Sequence, residues 1–402
     1  MAFDAFMGVS PEDCAVPPKS DLEHLTQIDT IEFLASKSTC ADFSMEGGAL
    51  HLQVEAAAPG VYRLRCGPQG SLDPDKLSPR KRAHAEMLIA RQEAVGELAV
   101  SSIAESARQG WRLEQGDTVL ELQLSPFQFS VYRGGACLMS SRAGGTLAHG
   151  QAGGQALWQL CIDLDGDDAL HGGGETGGEL DRRGTRLVSD DPACRALPLV
   201  WSTKGWGLYV NTLARIEHEL DSERDDGYRI AVHDALLDAY LFVGEPSEIL
   251  NQYTALTGRA GQPGLWPMGV WLDQAAGQSL ADTLGAVREF RANEWGLDVV
   301  RLAPPAVCGF QSDKPAFEWD AARVPDPRAM FAAFQDLNVQ VAAPFFPGVP
   351  SGTELFTEWE DRGWLLINDD GEAHVFPGTE VTGGKPFGLL DLTYKDVYKL
   401  WS

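Results

Sequence analysis

The hydrophobic pattern of this chain changes once along its length, at a cluster of glycine and proline in residues 261–267. Before the cluster, apolar and polar residues alternate with a period of two over many short stretches. After it, apolar runs alternate with segments whose apolar residues recur every three to four positions. Gly/Pro clusters are typical of linkers and domain boundaries. The pattern therefore predicts a β-sandwich over residues 46–262 and an α/β domain over residues 263–402, with residues 1–45 left unassigned.

Short alternating stretches in the first region predict half-buried strands. The clearest are residues 49–55, 119–124 and 127–131, and the last of these leads into Gly134-Gly135, a pair typical of a hairpin turn. Further strand candidates are residues 157–162, 207–212, 229–232 and 237–243. Many short strands with few helical stretches indicate a sandwich. Residues 80–94 are the exception, and they suit a helix or a mobile excursion.

The second region has a different alternation. Its three apolar strand candidates are residues 268–272, 297–302 and 339–343. Ser279 and Asp282 form a capping pair before the first helix, and Asp326 followed by Pro327 marks the start of the second. Apolar strands joined by amphipathic helices predict β-α-β units and a parallel sheet.

The charge and the cysteines limit the partners. A net charge of −26, from 58 acidic and 32 basic side chains, repels phosphate backbones and anionic lipids, so we expect neither nucleic acid nor a membrane as a partner. The N-terminus lacks the basic start and apolar stretch of an export signal, which favours a cytoplasmic protein. The seven cysteines form no C-x-x-C pair and the eight histidines show no H-x-x-x-H spacing, so no disulfide framework, metal site or cofactor is predicted.

Several stretches resemble motifs of glycoside hydrolase family 31, the α-glucosidase and α-xylosidase type. In the first region the matching segments are residues 172–184 (GGGETGGELDRRG), 198–202, 207–212, 238–244 and 253–258. In the second they are residues 267–272 (PMGVWL), 317–320 (FEWD), 324–330 (VPDPRAM) and 390–393 (LDLT). They follow the family's order over roughly residues 50–402. The resemblance implies a galactose-mutarotase-like β-sandwich followed by the first part of a TIM (β/α)8 barrel.

The resemblance also implies an enzyme. Retaining α-glycosidases hydrolyse the O-glycosyl bonds of α-glucosides or α-xylosides with two carboxyl groups about 5 Å apart. In the family, the nucleophilic Asp follows the fourth barrel strand and the acid/base lies further along the chain. Neither has a counterpart among these 402 residues, so no catalytic residue is assigned and the chain alone is expected to be inactive. The alternative is a non-catalytic carbohydrate-binding or relict protein derived from the family.

One departure from the family concerns the sugar itself. The second barrel strand typically ends in H-L-D, whose Asp hydrogen-bonds the sugar, and this chain has Arg301-Leu302-Ala303 there. A sugar hydroxyl that loses its buried partner costs roughly 1–3 kcal/mol. Ala303 therefore indicates either a different substrate or a copy that is no longer selected for activity.

Five residues remain as candidates for contacts with a carbohydrate substrate. Asp190 and Asp191 lie where the family extends an acidic loop toward the active site, although a solvated acidic turn is the alternative. Asp273 follows the first barrel strand, where ligand contacts are common, or it is an exposed loop acid. Phe345 and Phe346 end the third strand and either stack on a sugar face or belong to the barrel core.

The incomplete barrel has a physical consequence. A TIM barrel closes only with eight strands, and about three strand–helix units leave sheet edges open. Open edges invite pairing with another chain. We therefore expect self-association through the open barrel edge, in addition to a carbohydrate substrate.

Overall fold

The computed structural model describes residues 25–72, 88–90, 96–105, 108–189, 195–224, 226–275, 277–303, 317–368, 370–378 and 382–402. The chain falls into two compact units, one ending at Ala260 and the other beginning at Gly261. Most of the stretch 80–94, predicted as a helix or a mobile excursion, lies outside the described residues. No helix in the described part of the chain is long and apolar enough to cross a membrane.

The first unit is built from strands. In chain order they are β1 Thr26–Gln27, β2 Ile31–Ser36, β3 Cys40–Met45, β4 Leu50–Ala58, β5 Val61–Pro68, β6 Ala99–Glu105, β7 Arg108–Gln115, β8 Thr118–Leu124, β9 Phe127–Arg133, β10 Ala136–Ser141, β11 Leu147–Ala152, β12 Gln155–Asp163, β13 Leu170–Glu175, β14 Thr185–Val188, β15 Arg195–Ser202, β16 Trp206–Val210, β17 Ile216–Leu220, β18 Gly227–Val232 and β19 Leu237–Val243. The helix α1, Pro246–Thr257, follows them.

These strands form two antiparallel sheets. The 8-stranded sheet has the order β13-β15-β16-β19-β5-β4-β3-β2, and the 11-stranded sheet runs β14-β17-β18-β12-β10-β9-β8-β7-β6, with β11 beside β12 and β1 beside β11. One hydrophobic core takes side chains from both, such as Leu52 and Leu64 from the first and Phe129 and Trp158 from the second. This confirms the predicted β-sandwich. Strands β1 to β3 lie in the region that the sequence pattern left unassigned.

The alternation in the sequence has its expected cause. In β4 the apolar residues Leu50, Leu52 and Val54 are buried and the residues between them are partly exposed, because successive side chains point to opposite faces of the sheet. The predicted hairpin joins β9 to β10, and its Gly134 and Gly135 have φ values of 57° and 86°. Glycine adopts this left-handed region without steric cost.

The second unit starts with three parallel strands. They are β20 Trp271–Asp273, β21 Val299–Arg301 and β22 Gln340–Ala342, in that order in the sheet. The helices α2 Leu280–Ala292 and α3 Pro327–Gln335 lie between them in sequence, and then come β23 Gly348–Pro350, α4 Glu354–Asp361, β24 Phe387–Leu389 and α5 Lys395–Trp401. Strands β23 and β24 pair separately as an antiparallel sheet. The predicted β-α-β units and parallel sheet are confirmed.

The predicted helix starts are confirmed, whereas one strand boundary was wrong. Ser279 Oγ accepts from the Asp282 amide, and the Asp282 carboxylate accepts from the Ser279 amide in return. Asp326 caps α3 by accepting from the Ala329 amide at 3.0 Å. The strand predicted at residues 268–272 begins only at Trp271, because Trp266–Met268 forms a 3₁₀ turn. Proline in that turn fixes φ near −65° and has no amide proton for a strand ladder.

Candidate functional site

The carboxyl edge of the parallel sheet holds the candidate site. In-register pairing places Asp273, Arg301 and Ala342 in one row across the three strands at this edge. The residues one step earlier, Leu272 and Val300, pack into a hydrophobic core that α2 and α3 also line. Side chains alternate between the two faces of a strand. Asp273 and Arg301 therefore lie on the face of the sheet that points away from α2 and α3.

Asp273 and Arg301 form an ion pair across two neighbouring strands. Arg301 Nη2 donates to Asp273 Oδ2 at 2.7 Å, and the two side chains are 47 % and 29 % exposed. An ion pair this open to solvent adds little stability. Its structural effect is to hold the carboxylate in one orientation. Arg301 is not among the site residues predicted from sequence, although a charged residue within the apolar run of β21 is a usable signal.

Gln274, which was not predicted from sequence, stabilises the end of β21 through side-chain hydrogen bonds. The side chain is buried, with 5 % exposure. Its Nε2 donates to the Gln278 carbonyl at 3.1 Å and to Thr283 Oγ1 at 3.0 Å, while its Oε1 accepts from the Ala303 amide at 3.1 Å. One carboxamide thus links the loop after β20, the first turn of α2 and the strand end at Ala303. No local pattern marks such a residue, since all its partners are set by packing.

Ala303 occupies the strand end where the family's sugar-binding Asp was expected. The residue is partly buried, and its methyl group packs at the border of the core shared with α2 and α3. Its amide is satisfied by Gln274, so the backbone at this position is fixed even though the carboxylate is absent. Among the described residues, the carboxylate in the row of strand ends is that of Asp273 on the neighbouring strand.

The two phenylalanines after β22 have different surroundings. Phe345 is 44 % exposed and meets Trp319 edge-to-face, with ring centroids 5.7 Å apart. Phe346 is partly buried, packs against the hydrophobic core and meets Phe387 at 5.0 Å. Phe345 thus offers a ring surface to solvent, whereas Phe346 is largely engaged by the protein.

The two remaining candidates, Asp190 and Asp191, lie outside the described residues.

The glycine-rich segment 172–184 begins within β13 and continues, after Glu175, as the loop that leads to β14. A Cβ on Gly172 would lie 2.3 Å from the Leu199 carbonyl oxygen, so only glycine fits this close approach. Arg183 donates to Asp221 at 2.8 Å, to Asp226 at 3.1 Å and to the Asp168 carbonyl at 3.2 Å. The motif's arginine therefore ties three loops of the sandwich together.

Comparisons with known proteins agree with this architecture. The profile of the glycosyl hydrolases family 31 TIM-barrel domain matches residues 260–402, and that of the family 31 N-terminal galactose mutarotase-like domain matches residues 51–219. The chain belongs to glycoside hydrolase family 31. The resemblance found in the sequence motifs is confirmed, as is the order of a mutarotase-like sandwich followed by a TIM-barrel region.

Relatives in this family include two bacterial glycosidases. The α-xylosidase XylQ of Lactiplantibacillus pentosus is 27 % identical over 188 residues, which cover 46 % of this chain and 24 % of the relative. Alpha-glucosidase 2 of Bacillus thermoamyloliquefaciens is 24 % identical over 296 residues, covering 70 % of this chain and 36 % of the relative. Both relatives are glycosidases by name.

Solved structures of the family share the fold. A Flavobacterium johnsoniae GH31 dextranase complexed with isomaltotriose superimposes with a TM-score of 0.76 at 18 % identity, over 94 % of this chain and 45 % of the dextranase. A GH31 α-xylosidase from a soil metagenome, complexed with xylose, gives a TM-score of 0.71 at 17 % identity, over 92 % of this chain and 54 % of the xylosidase. The chain therefore spans about half the length of these family members.

Proposed function

We propose that this chain provides the sugar-binding front part of a retaining α-glycosidase acting on α-glucosides or α-xylosides. The observation that carries the proposal is the Asp273–Arg301 pair at the carboxyl edge of the barrel strands, on the face opposite α2 and α3. TIM-barrel enzymes bind substrates and place catalytic groups at this edge. The relatives named α-xylosidase and α-glucosidase support the substrate class.

Each candidate residue has a defined task in this proposal. Asp273 accepts hydrogen bonds from sugar hydroxyls, and Arg301 keeps its carboxylate oriented toward the site. Phe345 stacks its exposed ring on an apolar sugar face, and Phe346 supports it from the core side. The acidic pair at residues 190–191 remains a prediction from sequence. Carbohydrate is the expected ligand, and no nucleic acid or membrane partner is proposed.

We infer that the chemical step needs carboxyl groups that the described strand ends do not offer. Retaining hydrolysis requires one carboxylate to attack the anomeric carbon while a second carboxylic acid protonates the leaving oxygen. Asp273 is paired with Arg301, and the described residues offer no second carboxylate in the row of strand ends at the edge of the sheet. We therefore propose that this chain binds the sugar and does not hydrolyse the glycoside by itself.

Titration with xylose and glucose, followed by NMR, tests the sugar site. We expect saturable binding that weakens roughly five- to tenfold in Asp273→Asn and in Phe345→Ala, because each loses a direct sugar contact. Asp336→Asn is the matched control: it removes an exposed carboxylate at the end of α3, next to the amino edge of the sheet. Equal affinity in wild type and Asp273→Asn would refute the proposed sugar site. Release of nitrophenol from nitrophenyl α-xyloside above the buffer rate would refute the proposal that this chain does not hydrolyse the glycoside by itself.

The alternative, a non-catalytic carbohydrate-binding protein derived from the family, is favoured by Ala303. Its methyl group cannot accept a hydrogen bond, so the hydroxyl that the family's Asp would hold has no partner on this strand. Such a protein would prefer a sugar that lacks or modifies that hydroxyl. Tighter binding of a deoxy sugar than of glucose in the same titration would support this second candidate.

We also propose self-association through the β20 edge. Among the described residues, β20 pairs with another strand on one side only. Four exposed apolar side chains lie in or just before β20: Leu265, Met268, Val270 and Trp271, which are 92 %, 74 %, 49 % and 43 % exposed. We call these four residues the β20-edge patch. An unpaired strand edge next to exposed apolar side chains is a template for pairing with a second copy.

Sedimentation velocity at micromolar concentration tests this association. Wild type is expected to sediment as a dimer or larger species, and Met268→Lys is expected to shift it to monomer, because a charge in the β20-edge patch would be desolvated on pairing. Leu180→Lys is the control, since Leu180 is 86 % exposed on the loop before β14 of the first unit. A monodisperse wild-type monomer would contradict the proposal.

A further inference from the structure

A polar groove lies in the first unit, and it is lined by residues of the sandwich and of α1. Its volume is about 370 Å³. The polar side chains that line it include Glu97, Gln115, Asp117, Arg133, Glu248 and Gln252. None of the candidate sugar-contact residues that the structure describes lines this groove.

Two glutamine side chains approach the same turn of the groove. Gln115 Nε2 donates to the Val61 carbonyl at 3.2 Å, and Gln252 Nε2 donates to the Pro59 carbonyl at 3.0 Å. Because each carbonyl requires a donor, these bonds fix which atom of each carboxamide is nitrogen. Gly60 lies between the two carbonyls, and a Cβ there would come within 3.1 Å of Gln252 Nε2. The two amides therefore clamp the turn between β4 and β5.

Both amide oxygens lack a donor in the part of the chain that the structure describes. Gln115 Oε1 and Gln252 Oε1 are buried and have no hydrogen-bond partner among the described residues, and the Gln115 side chain as a whole is only 6 % exposed. Buried polar atoms are paired in the great majority of cases, so each unpaired one calls for a partner that binds there. The groove thus presents two buried hydrogen-bond acceptors that require a donor from outside the protein.

The side-chain donors of the groove are already in use. Arg133 donates to Asp117 at 2.9 Å and to Glu248 at 2.6 Å, and Thr118 Oγ1 donates to the Gln115 carbonyl at 2.9 Å. Hydrogen bonds from Arg133 hold the pKa of Glu248 below its ordinary value, so this carboxyl group is ionised at neutral pH. No donor among these side chains is free to rotate onto the two amide oxygens without breaking a bond it already makes.

The charge of the groove selects the kind of donor. Three carboxylates, those of Glu97, Asp117 and Glu248, line the groove together with one guanidinium, that of Arg133. The described residues contain no group of three or more His, Cys, Asp or Glu side chains that could hold a metal ion. A primary ammonium group carries three donors, no acceptor and a positive charge. Its donors suit the two amide oxygens, and its positive charge suits the carboxylates that line the groove.

We propose that this groove binds a small organic cation through a primary ammonium group, which donates to Gln115 Oε1 and Gln252 Oε1 and is attracted by Glu97. The rest of the ligand extends along the open groove toward solvent. The site is independent of the sugar site, since it lies in the first unit and shares no residue with the edge of the parallel sheet.

Titration of the isotope-labelled 402-residue chain with n-butylammonium, compared with n-butanol of the same shape, tests the site. We expect saturable shifts of the Gln115 and Gln252 side-chain amide resonances with butylammonium only, weakening as salt rises. Glu97→Gln and Gln252→Met should each lower the affinity roughly tenfold. Glu32→Gln, a control at an exposed carboxylate on β2 outside the groove lining, should leave the affinity unchanged.

The outcomes separate the explanations. Equal shifts of the amide resonances with butylammonium and butanol, or no shift with either, would overturn the proposal. Water would then be the hydrogen-bond donor to the two amide oxygens. Equal weakening by Glu97→Gln and Glu32→Gln would also overturn it, because attraction to the net charge of −26 would then account for binding. Glu97 is exposed, so its replacement tests the site even if Gln252→Met fails to fold. Tighter binding of glucose than of butylammonium at these resonances would refute the cation in favour of a sugar.

Discussion

Replacing Asp238 with alanine is expected to lower the free energy of unfolding by about 3–5 kcal/mol, because it leaves a largely buried guanidinium with only its longer, 3.6 Å contact to Glu55. Arg63 on β5 donates to Asp238 on β19 through Nε and Nη2, both at 2.7 Å, and Asn211 Nδ2 adds a third bond at 2.8 Å. The Arg63 and Asp238 side chains are only 18 % and 13 % exposed. Burial raises the pKa of Asp238, but the charge and hydrogen bonds of Arg63 outweigh it and hold the pKa below its ordinary value.

Urea unfolding followed by circular dichroism measures this loss. The matched control is Asp167→Ala, which breaks a 2.7 Å ion pair to Lys204 at a carboxylate that is 80 % exposed, and we expect no measurable change there. Replacing both members by apolar residues, Arg63→Met with Asp238→Leu, should recover much of the lost stability, since the unpaired charge is gone. Equal stability of Asp238→Ala and Asp167→Ala would show that the pair is not effectively buried.

His218 is expected to make the first unit lose stability as the solution becomes acidic. Its ring is 3 % exposed on β17, and its Nδ1 lies 2.8 Å from the Tyr228 hydroxyl. Burial lowers the pKa of His218 to about 4, against the 6.5 of an ordinary histidine. Between these values the unfolded chain binds a proton that the folded chain does not. Stability present above pH 6.5 is therefore lost as the pH falls toward 4, by roughly 3 kcal/mol in total.

Unfolding free energies at pH 7.5 and pH 4.5, for wild type and His218→Gln, isolate this contribution. Glutamine can keep a hydrogen bond to Tyr228 but does not titrate, so wild type should lose about 2–3 kcal/mol more than the variant over this interval. His171→Gln, which removes a partly exposed imidazole from the same unit, is the control. Parallel pH profiles for wild type and His218→Gln would contradict the prediction.

The candidate site was predicted from sequence only in part. Asp273 could be found because it follows an apolar strand at the edge where barrels bind ligands, and its position is local information. Its partner Arg301 lies 28 residues away, and their contact follows from the register of β20 and β21. Gln274 could not be found, because its three partners come together only when the loop, the helix and the strand end pack. The exposure of Phe345 and the partial burial of Phe346 likewise depend on Trp319 and Phe387.

The sequence by itself determined the class and order of the two domains, the hairpin at Gly134-Gly135 and the helix starts at Ser279 and Asp326. These features depend on side-chain periodicity and on hydrogen bonds within a few residues, so a short segment contains all the information. Tertiary structure alone decided the strand pairing, the Arg63–Asp238 pair across 175 residues and the two unpaired amide oxygens of the polar groove. Such contacts are selected by the packing of whole sheets, which no local pattern encodes.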